Sequence, residues 1–185
     1  MDTKISKLIL TLTVIGIISA IALSFVYQWT TPYIEQHQME AREEALRDVI
    51  PKAQEYEEVE KEGQIFFEGY NSGGNRTGVA MIASGPGYQN IIELMVGVNL
   101  NSQKVYGIKI LTHEETPGLG ARITGDDYKE NYIDKPFGDY NVVKREPQSE
   151  LEVEAIAGAT ISSKSVAKIV ENAIEQIQDV YGGGA

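Results

Sequence analysis

The chain has 185 residues, 42% hydrophobic and 23% charged, which suits one packed domain plus whatever precedes it and argues against global disorder. A net charge of −11 without any clustered run of Lys and Arg argues against nucleic acid as a partner. The absence of cysteine removes disulfides, thiolate zinc sites and cysteine-held iron–sulfur clusters. Two histidines, His37 and His113, leave no multi-histidine metal centre, so no metal site is expected.

The first element is an uncharged run from Leu8 to Tyr27, 20 residues that match the hydrocarbon thickness at the helical rise. Tyr27 and Trp29 stand where an interfacial aromatic belt would lie. Lys4 and Lys7 flank the N-terminal end, and Glu35 and Glu40 precede the first Arg beyond it, so the N-terminus is expected in the cytoplasm and the main domain outside. Ala20-Ile21-Ala22 resembles a signal cleavage site, but the apolar run continues through Val26 and is long for a signal peptide. An uncleaved single-pass cell-membrane anchor is therefore the better reading. Without residues 1–27, which carry Asp2, Lys4 and Lys7, the rest holds 14 basic and 26 acidic side chains. Such a domain is repelled by anionic lipid and stands off the surface.

Thr30-Thr31-Pro32 predicts a break after the span. Tyr33 to Ile50 reads as a charged, solvated linker helix with a thin stripe of Met39, Leu46 and Ile50, closed by Pro51. Short apolar or alternating runs follow at Tyr56–Lys61, Gln64–Tyr70, Gly78–Ser84, Ile91–Asn99 and Lys104–Leu111. Turn-rich breaks separate them, among them Gly85-Pro86-Gly87, and this spacing predicts an antiparallel meander. Next comes Thr112-His113-Glu114-Glu115-Thr116-Pro117-Gly118-Leu119-Gly120, a polar loop directly after a core strand, where function often resides. Short helical stretches are expected near Ala121–Ile123 and Asp126–Asn131, and a further strand near Asp139–Lys144. From Ser162 to Tyr181, Val166, Ile169, Val170, Ala173, Ile174 and Ile177 recur at helical spacing, and Gly182 ends the pattern. The fold class is α+β: an antiparallel sheet packed with helices, preceded by one N-terminal transmembrane helix. The expected domains are 1–29 (cytoplasmic tip and anchor), 30–54 (linker helix) and 55–185 (extracytoplasmic domain).

The chemistry candidates are few. Gly158-Ala159-Thr160 opens the last helix, where small residues permit close approach and free N–H groups favour an anion. From residue types alone, Thr160, Ser162 and Ser163 are better read as helix caps. A self-activated hydrolase through Lys164 lacks its motifs: there is no Gly-x-Ser-x-Gly, and Ser162–Lys164 has the wrong spacing for Ser-x-x-Lys. The Thr116–Gly120 loop reads as a good turn, and His113 as an ordinary side chain at a strand end. No phosphate loop or dinucleotide fingerprint occurs.

The order of features is more telling: an anchor, then Gly85-Pro86-Gly87-Tyr88, then His113 to Gly120, then Gly158-Ala159-Thr160. Over nearly the whole chain this resembles the G subunit of the Rnf ion-translocating electron-transport complex. That protein belongs to the FMN-binding domain family shared with the C subunit of the sodium-pumping NADH:quinone reductase. The resemblance implies covalent FMN, joined by a phosphoester to Thr160, with Gly158, Ala159, Ser162 and Ser163 around the attachment point. It also implies that Glu115, Thr116, Leu119 and Gly120 line the flavin, with Gly85 and Tyr88 as weaker candidates. Two positions depart from the family pattern: Ala157 replaces Ser or Thr, and Glu154 replaces Asp. The implied partners are the other membrane subunits of the complex and an FAD-dependent FMN transferase. The implied role is electron relay in a ferredoxin:NAD⁺ oxidoreductase coupled to Na⁺ or H⁺ movement, with no independent catalytic activity. The alternatives are the C-type quinone-reductase subunit, which is usually longer, and a membrane-tethered binding module without redox function.

Overall fold

A computed structural model describes residues 3–182, with side chains from residue 5 onward. Helix α1 runs from Thr3 to Val49. By length and composition it can cross a membrane, and its apolar side chains from Ile5 to Ile34 are exposed. The expected break at Thr30-Thr31-Pro32 is absent, since Pro32 lies inside the helix. Neighbouring hydroxyls bond the carbonyls just before it: Thr30 Oγ1 donates to Val26 O (2.9 Å) and Thr31 Oγ1 to Tyr27 O (2.7 Å). The chain forms two compact units that divide in sequence between Ala41 and Arg42.

The second unit is built on five strands: β1 (Glu55–Lys61), β2 (Gln64–Tyr70), β3 (Arg76–Pro86), β4 (Ile91–Asn99) and β5 (Lys104–Thr112). They pair antiparallel in chain order, as the alternation predicts. Strand alternation gives the sheet two apolar faces. One face presents Phe66, Met81, Leu94, Val96 and Val98 to helix α3 (Thr160–Tyr181), whose Val166, Ile169, Val170, Ala173, Ile174 and Ile177 are all buried. The other face presents Phe67, Ala80 and Met95 to the last turns of α1. Ala45, Leu46, Val49 and Ile50 are buried there, so these turns are a packed element of the domain and are not solvated. The approach is backbone-close: a Cβ at Gly97 of β4 would collide with the Val49 carbonyl. Lys109 of β5 ties the same turns through Glu44 (3.1 Å) and Asp48 (2.6 Å).

Between β5 and α3 the chain forms a 3₁₀ turn (Gly120–Thr124), the short helix α2 (Asp126–Lys129) and a second 3₁₀ turn (Glu130–Tyr132). Strand β6 (Asn141–Val143) then pairs parallel with β7 (Glu152–Glu154), a strand the sequence pattern does not announce. Gly85-Pro86 is strand and not turn: Gly85 pairs with Ile92 and Pro86 with Ile91. The reversal comes one residue later, closed by Gly87 N–H to Asn90 O at 2.7 Å.

Candidate functional site

Three segments converge where α3 begins: the β3–β4 turn, the loop after β5, and the residues leading into α3. Glu115 joins them. Its side chain is 4% exposed. Oε1 accepts the N–H groups of Tyr88 (2.7 Å) and Gln89 (3.1 Å), and Oε2 accepts the Ser162 hydroxyl at 2.6 Å. A Cβ at Gly87 would strike Oε1, and one at Gly120 would strike Oε2 and Ser162 Oγ, so glycine is required at both positions. The Glu115 N–H in turn bonds His113 Nδ1 (3.1 Å). Gln89 Nε2 to Thr116 Oγ1 (2.9 Å) and Asn90 Nδ2 to Glu114 Oε2 (2.8 Å) add two further stitches between turn and loop. Burial pushes the Glu115 carboxyl up. The Ser162 hydroxyl and the Gln89 and Tyr88 amides, with a smaller contribution from His113, outweigh that and hold it below the usual carboxylate range.

These segments wall a cleft of about 1120 Å³, lined by Tyr88, the Glu115–Thr116 and Gly118–Arg122 loop, and Glu154 through Ser162. Thr160 is the first residue of α3 and half-buried on the cleft wall. The helix N-cap is Ala159, with no side-chain cap, so the capping role expected of these hydroxyls is not what Thr160 does. Among the described residues no hydrogen bond commits its hydroxyl. Gly158, at φ +80°, sets up the entry to the helix. A Cβ there would also meet Leu119 Cδ2 at 3.1 Å, a second contact between loop and helix. The first N–H bonded back along the helix is that of Ser163, to Ala159 O (3.0 Å), so the earlier amides of the turn face the cleft end.

The sequence-derived candidates sort into two groups. Gly158, Ala159, Thr160, Ser162, Glu115, Thr116, Leu119, Gly120 and Tyr88 all line the cleft. Ser163 and Gly85 do not. Ser163 is fully buried: its Oγ donates to Ala159 O and accepts the Ile156 N–H, both at 3.0 Å, which shapes the turn from behind. Gly85 lies in β3 under Ile169 of α3. Ala157 is exposed on the cleft wall. Sequence reasoning also missed Arg122, Asn131 and Lys144, which line the far end. Arg122 and Lys144 make no ion pair among the described residues, and scarce cations in an acidic chain were the available signal. Tyr128 Oη donates to Ser163 O (3.1 Å) and supports the first turn; burial pushes its phenol up to about 12.

Residues 87–175, from the β3–β4 turn through most of α3, match the family model of the FMN-binding domain. The G subunit of an ion-translocating oxidoreductase complex from Methanosarcina acetivorans is 32% identical over 98% of this chain and 99% of its own length. The chain belongs to this G-subunit family. A second relative in the family, the G subunit of a proton-translocating ferredoxin:NAD(+) oxidoreductase complex from Clostridium ljungdahlii, is 33% identical over 93% of this chain and 91% of its own. Among solved structures, the C subunit of the Na(+)-translocating NADH-quinone reductase from Parabacteroides distasonis aligns with a TM-score of 0.58 at 21% identity. It covers 77% of this chain and 92% of that one. This last likeness speaks to fold alone.

Proposed function

We propose that this chain is a membrane-anchored electron-transfer subunit whose Thr160 carries FMN through a phosphoester. The complex would be of the ferredoxin:NAD⁺ oxidoreductase type, moving Na⁺ or H⁺. The observation that carries the reading is Thr160 itself: a half-buried residue whose hydroxyl has no hydrogen-bond partner among the described residues, on the wall of a cleft, at the start of a 22-residue helix. The matched FMN-binding domain and the relatives' names supply the cofactor and the setting.

The residues present fit the group. A cleft of about 1120 Å³ can take a mononucleotide. A phosphoester at Thr160 lies against the N–H groups of the first turn of α3, which stabilise an anion by roughly 0.3–1 kcal/mol. Tyr88 (63% exposed), Leu119 (47%) and Ile161 (55%) offer apolar surface on that wall. Gly120 allows backbone approach. Bound flavin supplies one- and two-electron transfer, while the protein orients it and sets its potential. Attachment from FAD forms the bond from Thr160 Oγ1 to phosphorus, breaks the pyrophosphate and releases AMP. No base of this chain bonds the Thr160 hydroxyl among the described residues, so a separate transferase is needed to take the proton. We place the N-terminus in the cytoplasm, from Lys4 and Lys7, and the FMN domain outside. Covalent attachment there prevents loss of a cofactor that no external pool would replace.

Co-expression with an FAD-dependent FMN transferase tests this. The full-length chain should give a flavin-fluorescent band on a denaturing gel, and Thr160→Ala should abolish it while the protein still accumulates. A band that survives in Thr160→Ala places the attachment elsewhere.

A further inference from the structure

Glu115 stands out in the cleft wall because no ion pair neutralises it among the described residues. Its three donors are the Tyr88 and Gln89 amides and the Ser162 hydroxyl, all neutral, and among the described residues it makes no ion pair. His113 stands beside it without pairing: its Nδ1 accepts the Glu115 backbone N–H at 3.1 Å, and its contribution to holding the carboxyl down is the smallest of those acting. Arg122 and Lys144 also line the cleft, and neither is paired with Glu115. The backbone at Gly87 and Gly120 packs directly on the two oxygens, where a Cβ would strike Oε1 and Oε2. A buried carboxylate held by neutral donors keeps its full charge in a poorly screened environment.

We propose that Glu115 is a positioning residue that also sets the flavin potential. It joins the three segments of the cleft wall and keeps a negative charge that makes no ion pair among the described residues. This rests on the flavin reading of Thr160. Two-electron reduction of a flavin takes up two electrons and, to the anionic form, one proton, so the group gains one negative charge. A fixed negative charge nearby disfavours that gain and lowers the potential. The carboxylate acts through its charge and need not touch the ring, since three of its roughly four acceptor sites are taken by Tyr88, Gln89 and Ser162.

The test uses the full-length chain in detergent, loaded by the transferase, with dithionite titration followed by absorbance. Glu115→Gln removes the charge and keeps an acceptor and a donor. We expect its oxidised-to-reduced ratio at fixed potential to fall about tenfold, the order expected for removal of a single charge acting through a protein-like dielectric. That is an upward shift of about 30 mV for a two-electron couple. Ser162→Ala keeps the carboxylate and removes a donor that disperses its charge, so it should shift the potential the opposite way, by a few fold. A purely structural role would move both variants in the same direction or neither. In the flavin-free chain, deuterium uptake in the peptide containing Tyr88 and Gln89 should rise in Glu115→Gln. A loaded Glu115→Gln with an unchanged or lower potential overturns the inference. If that variant fails to fold, an unchanged or raised potential in Ser162→Ala does so. Wild type without any flavin overturns the Thr160 reading instead, and this inference with it.

Discussion

Helix α3 is pinned at each end by a buried glutamate, and the two are held in opposite ways. At the C-terminal end Glu68 of β2, 5% exposed, accepts Lys61 Nζ (2.7 Å), Tyr70 Oη (2.5 Å) and Tyr181 Oη (2.8 Å), with Arg76 at 3.6 Å. The Tyr181 ring lies under Lys61 (4.0 Å) and Arg76 (5.0 Å) and packs edge-on to Phe66. At the N-terminal end Glu115 has only amides and a hydroxyl. The first carboxylate is neutralised and works as a staple between helix and sheet edge. The second keeps its charge beside a cleft. Residue type and burial are the same, so it is the donors that separate a structural glutamate from one able to act on a bound group.

The largest effect expected from breaking this contrast is on stability, at the Glu68 end. Burial raises the Glu68 carboxyl, but Lys61, Tyr70 and Tyr181 pull it down to about 2. Its folded value thus lies below its unfolded one. The stabilisation is present above about pH 4.5 and is lost as the pH falls through about 2. Glu68→Gln should cost roughly 3 kcal/mol at pH 7, or about 6–12 °C in Tm by calorimetry. The deficit should close on acidification, and flavin attachment should persist. A Tm within about 2 °C of wild type would show that the staple is dispensable.

Next in size is Gly120→Ala, whose Cβ would strike both Glu115 Oε2 and Ser162 Oγ. Overpacking of this kind costs about 1–3 kcal/mol. It should also slow flavin attachment, measured as gel fluorescence against time of exposure to transferase and FAD. Gly158→Ala meets a positive φ and the Leu119 side chain, for about 1–2 kcal/mol with partial loss of attachment. The smallest effect is expected at Ala157, which is exposed. Ala157→Ser should change stability by less than about 0.5 kcal/mol, and a marked gain in attachment rate would assign its role to recognition by the transferase.

The contrast between the two glutamates was only partly legible in the sequence. The five strands and α3 were, because period-2 and period-3.6 patterns between turn signals depend on local chain geometry. Glu115 was marked by resemblance as a lining residue. That its carboxylate is spent on Tyr88, Gln89 and Ser162 depends on contacts 26 to 47 residues apart, which no local pattern encodes. Ser163 and Gly85 entered the candidate site through the resemblance, yet a one-residue step along the helix turns Ser163 inward, and Gly85 lies in β3 under Ile169. Pro32 suggested a break because proline removes a helical donor, yet the helix continues through it. Strand β7 is three residues long and pairs with β6 across a loop, too short for alternation to register.

The most direct measurement is fragment-ion mass spectrometry of the tryptic peptide Glu146–Lys164, taken from full-length chain co-expressed with the transferase. That peptide contains Ser149, Thr160, Ser162 and Ser163. The account predicts the mass of FMN less one water on Thr160 alone. An unmodified peptide, or the same mass on one of the serines, would contradict it.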